Sequence, residues 1–264
     1  MPAQIESHLS DNGVLRLTLN NPQRRNALSE AMIGELHAAI ANAAESSEVN
    51  VIVLNANGPA FSAGHDLKEI TAAREESDKG RAFFATLMDK CAAMMTAIVH
   101  CPKPVIAEID GIATAAGCQL VASCDLAYAS NTSRFATPGV NIGLFCSTPM
   151  VALSRNVSSK HAMEMLLTGD MISAFDAERM GLINRTTDSE SLTAMTQAVA
   201  DKIAEKSSLT LSIGKEAFYC QQEMELAQAY AYASDVMVDN MLTKDGEEGI
   251  SAFVEKRPPV WRNE

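Results

Sequence analysis

Apolar and polar positions first alternate with a period of two. Leu15, Leu17 and Leu19 are separated by Arg16 and Thr18, the pattern of a half-buried strand. Ile5–Leu9 and Val14–Leu19 flank Asp11-Asn12-Gly13, which offers the φ > 0 residues of a tight turn, so a hairpin is expected. The period then lengthens. Ser29 can cap a helix whose apolar positions Ile33, Leu36, Ile40 and Ala43 fall three or four apart. Val51-Ile52-Val53-Leu54 is apolar throughout, as in a short strand covered on both faces. A Gly/Pro loop at Asn57-Gly58-Pro59-Ala60 follows. Phe84, Leu87, Met88, Cys91, Met94, Met95 and Ile98 then trace one face of a helix ending before Pro102 and Pro104. Pro104 to Ile109 reads as a strand, turned by Asp110-Gly111 into a helix of small residues from Ala115 to Ser123. Leu126 to Ala129 is another short strand.

Strand, turn and helix thus recur, which predicts an α/β fold. From about Ser191 the strand pattern disappears. Helical patterns fill Leu192 to Lys206, Leu209 to Met241 and the stretch after Asp245, up to Pro258-Pro259. The expected division is an α/β core over 1–195 and a helical region over 196–264. Helices gathered at one end of a chain need a surface to cover, so oligomerisation is expected.

Composition narrows the class. The 264 residues are 47% hydrophobic and 20% charged, with a net charge of −12, which describes a globular protein and argues against nucleic-acid binding. No run of 18 apolar residues occurs, so no membrane span is expected. Met1-Pro2-Ala3-Gln4-Ile5-Glu6 has neither the charged nor the apolar stretch of a secretory signal. Six cysteines, none spaced CxxC, point to a reducing compartment, with cytoplasm expected and a mitochondrial matrix as the alternative.

Several chemistries lack their motif. There is no GxGxxG and no GxxxxGK[ST]. Ala60-Phe61-Ser62-Ala63-Gly64 has the outline of a nucleophile elbow without its first glycine. His65-Asp66 has no third ligand nearby for a metal. What remains is two glycine turns at strand ends, Ala63-Gly64-His65-Asp66 and Asp110-Gly111 through Gly117. Each leads into a helix, where backbone N–H groups have no intrahelical partner. Two such turns face to face would stabilise charge on a carbonyl oxygen; apart, they are only turns.

These segments carry a resemblance. Phe61-Ser62-Ala63-Gly64-His65-Asp66-Leu67 and Lys103 to Gly111 with Ala116-Gly117-Cys118 and Cys124-Asp125 resemble the two oxyanion segments of the crotonase (enoyl-CoA hydratase/isomerase) superfamily. Asn21-Pro22, Asn26-Ala27-Leu28, Gly181-Leu182-Ile183 and the ending Ile250 to Trp261 are similar to further landmarks. Ala136 to Ser147 resembles the branch called enoyl-CoA hydratase domain-containing protein three.

The resemblance implies a spiral of ββα units with C-terminal helices that assemble trimers or hexamers. It implies a coenzyme A thioester as substrate or ligand, with no tightly bound cofactor and no metal. It places the oxyanion N–H groups on His65 and Ala116, the latter where a glycine is usual. Coenzyme A would lie near Ala27, Ala63, Asp66 and Leu67, with Arg24, Arg25 and Lys68 as phosphate partners and Lys256 supplied by a neighbouring subunit. Ala113, Pro138 and Leu144 would be further substrate or coenzyme A contacts. Phe253 is either C-terminal core or part of the adenine pocket.

Two positions depart from the hydratase pattern. Where the family places its two catalytic glutamates, this chain has Gln119 and Gly139. The amide of Gln119 can orient water but cannot take a proton at neutral pH, and Gly139 can do neither. Losing positioned acid–base catalysis removes about 10²–10⁴ in rate. Cys146 is either a base or nucleophile, if its pKa is lowered, or a small residue in an apolar pocket. An acyl-CoA enzyme (slow hydratase, isomerase or thioesterase), a non-catalytic acyl-CoA binder and a scaffold all remain open on the sequence.

Overall fold

The computed structural model describes residues 3–264; Met1 and Pro2, where the stretch read for a secretory signal begins, lie outside the described residues. The hairpin forms as expected: β1 (Ile5–Leu9) pairs antiparallel with β2 (Val14–Leu19). Helix α1 (Glu30–Glu45) begins where Ser29 caps it, the hydroxyl accepting from the Met32 N–H, and it buries Met32, Ile33, Leu36, Ile40 and Ala43.

Then a unit repeats. β3 (Val51–Ala56) is followed by the three-residue β4 (Ala60–Ser62), and after it come α2 (Leu67–Ala73) and α3 (Arg81–His100). β5 (Val105–Ile109) is followed by β6 (Ile112–Thr114) and α4 (Ala116–Ser123). β7 (Leu126–Ser130) is followed by β8 (Arg134–Ala136), α5 (Pro149–Asn156) and α6 (Ser159–Thr168). From β2 onward the strands add in parallel to a six-stranded sheet of order β1-β2-β3-β5-β7-β10, while β4, β6 and β8 add in parallel to a four-stranded sheet of order β4-β6-β8-β9, whose β9 pairs antiparallel with β8. Here β9 is Ile172–Ser173 and β10 is Arg185–Thr187, on either side of α7 (Ala174–Met180). This is the ββα spiral.

The all-apolar strands are covered on both faces. Ile52, Leu54, Val105, Ala107 and Ile109 join the main core with α1, α3 and α4. Their neighbours Val51, Val53 and Ile106 face the other way, onto Leu192 and Ala200 of α8 (Ser189–Ala204). Helix α8 runs unbroken through residue 195, the expected boundary, and covers the second face of the sheet. The more exposed region begins after α8, with α9 (Ser208–Gln222), α10 (Leu226–Met241) and α11 (Lys244–Glu255). The single helical pattern read over Leu209 to Met241 is in fact two helices, since α10 folds back on α9.

α3 is long and apolar enough, by composition, to cross a membrane. Its face of Leu87, Cys91, Met94, Met95 and Ile98 is buried in the core, and Lys90 pairs with Glu30 of α1. It is a core helix. α9 is pinned to the spiral by Lys215, whose ammonium donates to Asp125 (2.7 Å) and to the carbonyls of Ile98 and Lys103. The Tyr219 hydroxyl takes the other oxygen of Asp125 at 2.9 Å. Asp125 thus holds α9 against the spiral.

Candidate functional site

The first turn leaves β4 at Ser62 and is held by Asn26. The buried amide of Asn26 donates to the carbonyls of Asn57 and Ala60, and its side-chain oxygen accepts from the Asn21 N–H. The Ser62 hydroxyl donates to the Asn26 carbonyl at 2.8 Å, so it holds the loop and is no nucleophile. Ala63 N–H donates to Arg25 O, and Leu28 N–H donates to Gly64 O. Asp66 then caps α2 by accepting from the Lys68 N–H, while its second oxygen meets the Arg24 guanidinium at 2.7 Å.

The second turn leaves β6 at Thr114. Ala115, at φ 51° and ψ −120°, caps α4 in a conformation that favours glycine. Such a conformation costs on the order of 1–3 kcal/mol and persists only when its surroundings enforce it. Here Ala115 N–H donates to Ala136 O at 2.9 Å, and Gln119 N–H donates to Ala115 O. Ala116, by contrast, has no positive φ. The methyl group it carries in place of the usual glycine hydrogen is therefore unstrained.

The two turns touch. A Cβ on Gly64 (φ +84°) would lie 2.9 Å from the Ala115 Cβ and 3.2 Å from the Ala116 nitrogen; one on Gly117 would lie 2.3 Å from the Ser62 carbonyl oxygen. Only glycine permits both approaches. The backbone N–H groups of His65 and Ala116 stand beside this contact, and neither donates to an acceptor within the described chain. Two unpaired donors at one contact can bind the oxygen of a polarised carbonyl.

Position 139, where the resemblance leads one to expect a glutamate, is closed. Gly139 is buried, and a Cβ there would lie 2.6 Å from the Leu144 carbonyl oxygen and 2.9 Å from Cys146 Sγ. The Gly139 N–H donates to that sulfur at 3.3 Å. Burial pushes the Cys146 thiol upward, opposed only by that N–H, and burial pushes the neighbouring Cys118 up to about 12. A neutral, packed thiol matches the reading of Cys146 as a small pocket residue, not as a nucleophile. Gln119 is 5% exposed, and its Oε1 has no partner. Burial also lowers the pKa of His65.

Arg24, Arg25, Ala27, Ala63, Asp66 and Lys68 are brought together by the first turn. Asp66 caps α2 and pairs with Arg24. Arg25 and Lys68 are exposed and form no ion pair among the described residues. Ala113 is buried, Pro138 half-buried, and Leu67 and Leu144 exposed. Phe253 is 85% exposed on α11, which removes its reading as core of this chain. Lys256 ends the same helix, which packs on α9 and α10 rather than on the two turns. The staple by Asn26, the buried Thr137 and the filling of the Gly139 corner were not foreseen. Each lies in a segment named from the sequence, Asn26 in Asn26-Ala27-Leu28 and Thr137 and Gly139 in Ala136 to Ser147, but the contacts they make were not readable there.

The model of the family described as enoyl-CoA hydratase/isomerase matches residues 10–264. The chain belongs to that family. It is 49% identical over 258 residues to the mouse protein named enoyl-CoA hydratase domain-containing protein 3, mitochondrial, covering 98% of this chain and 84% of that relative. Among solved structures it is similar to an enoyl-CoA hydratase of Mycobacterium smegmatis, at TM-score 0.94 and 49% identity over 98% of both chains. It is also similar to human enoyl-coenzyme A hydratase domain-containing protein 3, at TM-score 0.93 and 47% identity, over 98% of this chain and 100% of that one. The enoyl-CoA hydratase/isomerase fold is thus shared from end to end.

Proposed function

We propose that this chain binds an acyl-coenzyme A thioester with the carbonyl oxygen between the N–H groups of His65 and Ala116, and that it stabilises enolate character there without efficient hydration. The observation that carries this is the pair of unpaired N–H groups where two glycine-containing turns touch. Each such donor is worth about 10²–10³ in rate when charge develops on the oxygen. The proton-transfer side has no matching equipment, since Gln119 cannot accept a proton at neutral pH and the Gly139 corner is filled.

Arg25 and Lys68 are the uncommitted cations beside the first turn, and we assign them to the phosphates of coenzyme A, with Arg24 held back by Asp66. Along α10, Leu226, Tyr230, Met237 and Met241 are exposed at spacings of four and seven, with Val238 beside them. A stripe of that size suits a second copy of the chain, and we assign it to a trimer or a dimer of trimers. Phe253 and Lys256 would reach a neighbouring subunit's site in such an assembly. Relatives at 49% identity are named mitochondrial, which favours a mitochondrial matrix over the cytoplasm.

The test is a panel of acyl-CoAs incubated with the purified protein, read by mass spectrometry and by calorimetric binding. Saturable binding is expected, with crotonyl-CoA hydration slower than that of a two-glutamate hydratase by about 10²–10⁴ or more. Hydration at the full hydratase rate would overturn the loss of acid–base function. Failure to bind any coenzyme A thioester would overturn the whole reading and leave a scaffold.

A further inference from the structure

Helix α11 is held in an unusual way. Asp245 and Ala252 are its buried residues, while Ile250, Phe253 and Val254, three and four residues apart, stay exposed on another face. A helix is normally stabilised by an apolar face packed inward. Here that face points out, and residues 257–263 hold the helix from behind. Lys256 closes α11 at φ 58°, in the left-handed region, so the chain turns back along the helix. Arg257 grips both oxygens of Glu248 at 2.6 and 2.8 Å, and the Val260 N–H donates to the same carboxylate at 2.9 Å. The Trp261 ring lies against Gly249, where an added Cβ would be 3.3 Å from it.

The same stretch is bonded to the corner between α8 and α9. The Trp261 Nε1–H donates to Glu205 O at 2.8 Å, and the Ser208 N–H donates to Asn263 Oδ1 at 3.0 Å. Asp245 accepts from the N–H groups of Arg262 (2.7 Å) and Asn263 (3.0 Å) and from the Ser207 hydroxyl. Helix α8 in turn lies on Val51, Val53 and Ile106 of the large sheet, and β3 and β5 of that sheet lead toward the turns that bear His65 and Ala116. This clasp therefore ties α11 to the same sheet that sets the two N–H groups. Precise placement of site residues comes from rigid supports of this kind.

What the clasp presents does not serve its own chain's turns, since α11 packs on α9 and α10. Charge selects what covers the exposed face. Residues 216–255 carry nine carboxylates and one lysine, so two copies of this helical region repel one another. Residues 134–187 carry five cations and four carboxylates, and they expose Met163, Leu167, Met171 and Phe175. The face suits the spiral of a second copy. Resting on the coenzyme A reading above, we propose that Asp245 and Trp261 are positioning residues: through the clasp they hold α11 so that Phe253 seats on the neighbouring copy and Lys256 reaches its coenzyme A.

The test is a double-mutant cycle on the full-length protein, read as butyryl-CoA affinity by calorimetry and as assembly by sedimentation. The Lys256 side chain is exposed, so Lys256→Ala removes the presented charge and leaves the clasp in place. It is expected to weaken binding about tenfold or more, the effect of losing a charged hydrogen bond. Trp261→Ala opens the clasp and is expected to weaken binding about five- to tenfold. Combined, the two should weaken binding no more than Lys256→Ala alone, because a misplaced lysine and a missing one are equivalent. A tryptophan needed only for stability would give losses that add. Asp245→Asn keeps the size of the side chain and one acceptor; it decides the cycle if Trp261→Ala does not fold, with an expected loss of about two- to fivefold. Additive losses, or an unchanged affinity in Lys256→Ala or in both clasp variants, would overturn the inference while leaving thioester binding standing. So would butyryl-CoA binding by a wild-type protein that sediments as a monomer. Absence of butyryl-CoA binding would remove both readings.

Discussion

The turn at Gly64 and the turn at Gly139 are made of similar material, a short strand ending at a buried glycine, yet they use the space beside that glycine in opposite ways. At Gly64 the missing side chain lets a second turn approach, and the N–H groups of His65 and Ala116 stay unpaired. At Gly139 the missing side chain is replaced by the chain's own Leu144 carbonyl and Cys146 sulfur, and the Gly139 N–H is paired. One corner is kept for a ligand and the other is sealed. A glycine alone therefore says nothing about which; what faces it decides.

The largest effect is expected from Gly64→Ala. The new methyl would meet Ala115 and the Ala116 nitrogen, in a backbone conformation that is itself unfavourable for alanine. Together these should lower stability by about 3 kcal/mol, from a conformational cost of about 1–2 and an overpacking cost of about 1–3. Acyl-CoA affinity should fall more than tenfold, because the two N–H groups can no longer converge. Urea denaturation and calorimetry measure the two losses, and a variant that retains both would show that close approach does not define the open corner.

Next comes the attempt to restore the hydratase pair with Gln119→Glu and Gly139→Glu. On the residues alone, the double change supplies the two carboxylates that the resemblance leads one to expect there, and a gain of hydration would follow. The structure predicts the reverse of a gain, because a side chain at 139 collides with backbone at Leu144, which no substitution at 144 removes. We expect destabilisation of about 1–3 kcal/mol and no hydration of crotonyl-CoA above the wild-type rate. A folded double variant with at least a tenfold gain would show the sealed corner to be pliable.

The smallest effect concerns pH. The folded-state pKa of His65 lies below its ordinary value near 6.5, so the unfolded chain takes up that proton first as pH falls. The stability contributed by the neutral ring is complete above about pH 6.5 and is lost as pH drops below it. Wild-type protein should therefore lose more stability between pH 7 and pH 5.5 than His65→Asn, in denaturation midpoints measured side by side. Equal losses would place the imidazole in contact with water.

Much of this was legible in the residues. Ser29 announced α1, the apolar run from Val51 announced a strand covered on both faces, and the periodicity from Leu87 to Ile98 announced α3. Three-residue strands such as Ala60–Ser62 and Ile112–Thr114 are too short to display a period. The break between α9 and α10 carries neither glycine nor proline, because it is set by the packing of one helix on the other. In the candidate site the segments bearing the N–H groups could be named from the residue pattern. The sealing of Gly139 could not, since it depends on a contact across a turn whose residues look unremarkable singly. Nor could the pairing of Arg24 with Asp66, which joins positions 42 residues apart.

The contact between Gly139 and Cys146 also bears on how the two positions can change over generations. With the sulfur and the Leu144 carbonyl lodged beside residue 139, no single substitution there gives a functional carboxylate; the loop from 143 to 147 must be rebuilt first. Positions 139 and 146 are therefore expected to covary across relatives, glycine at the first travelling with a small residue at the second. Chains that carry glutamate at the first should show a different loop length or path. A comparison of many related sequences would read that linkage directly.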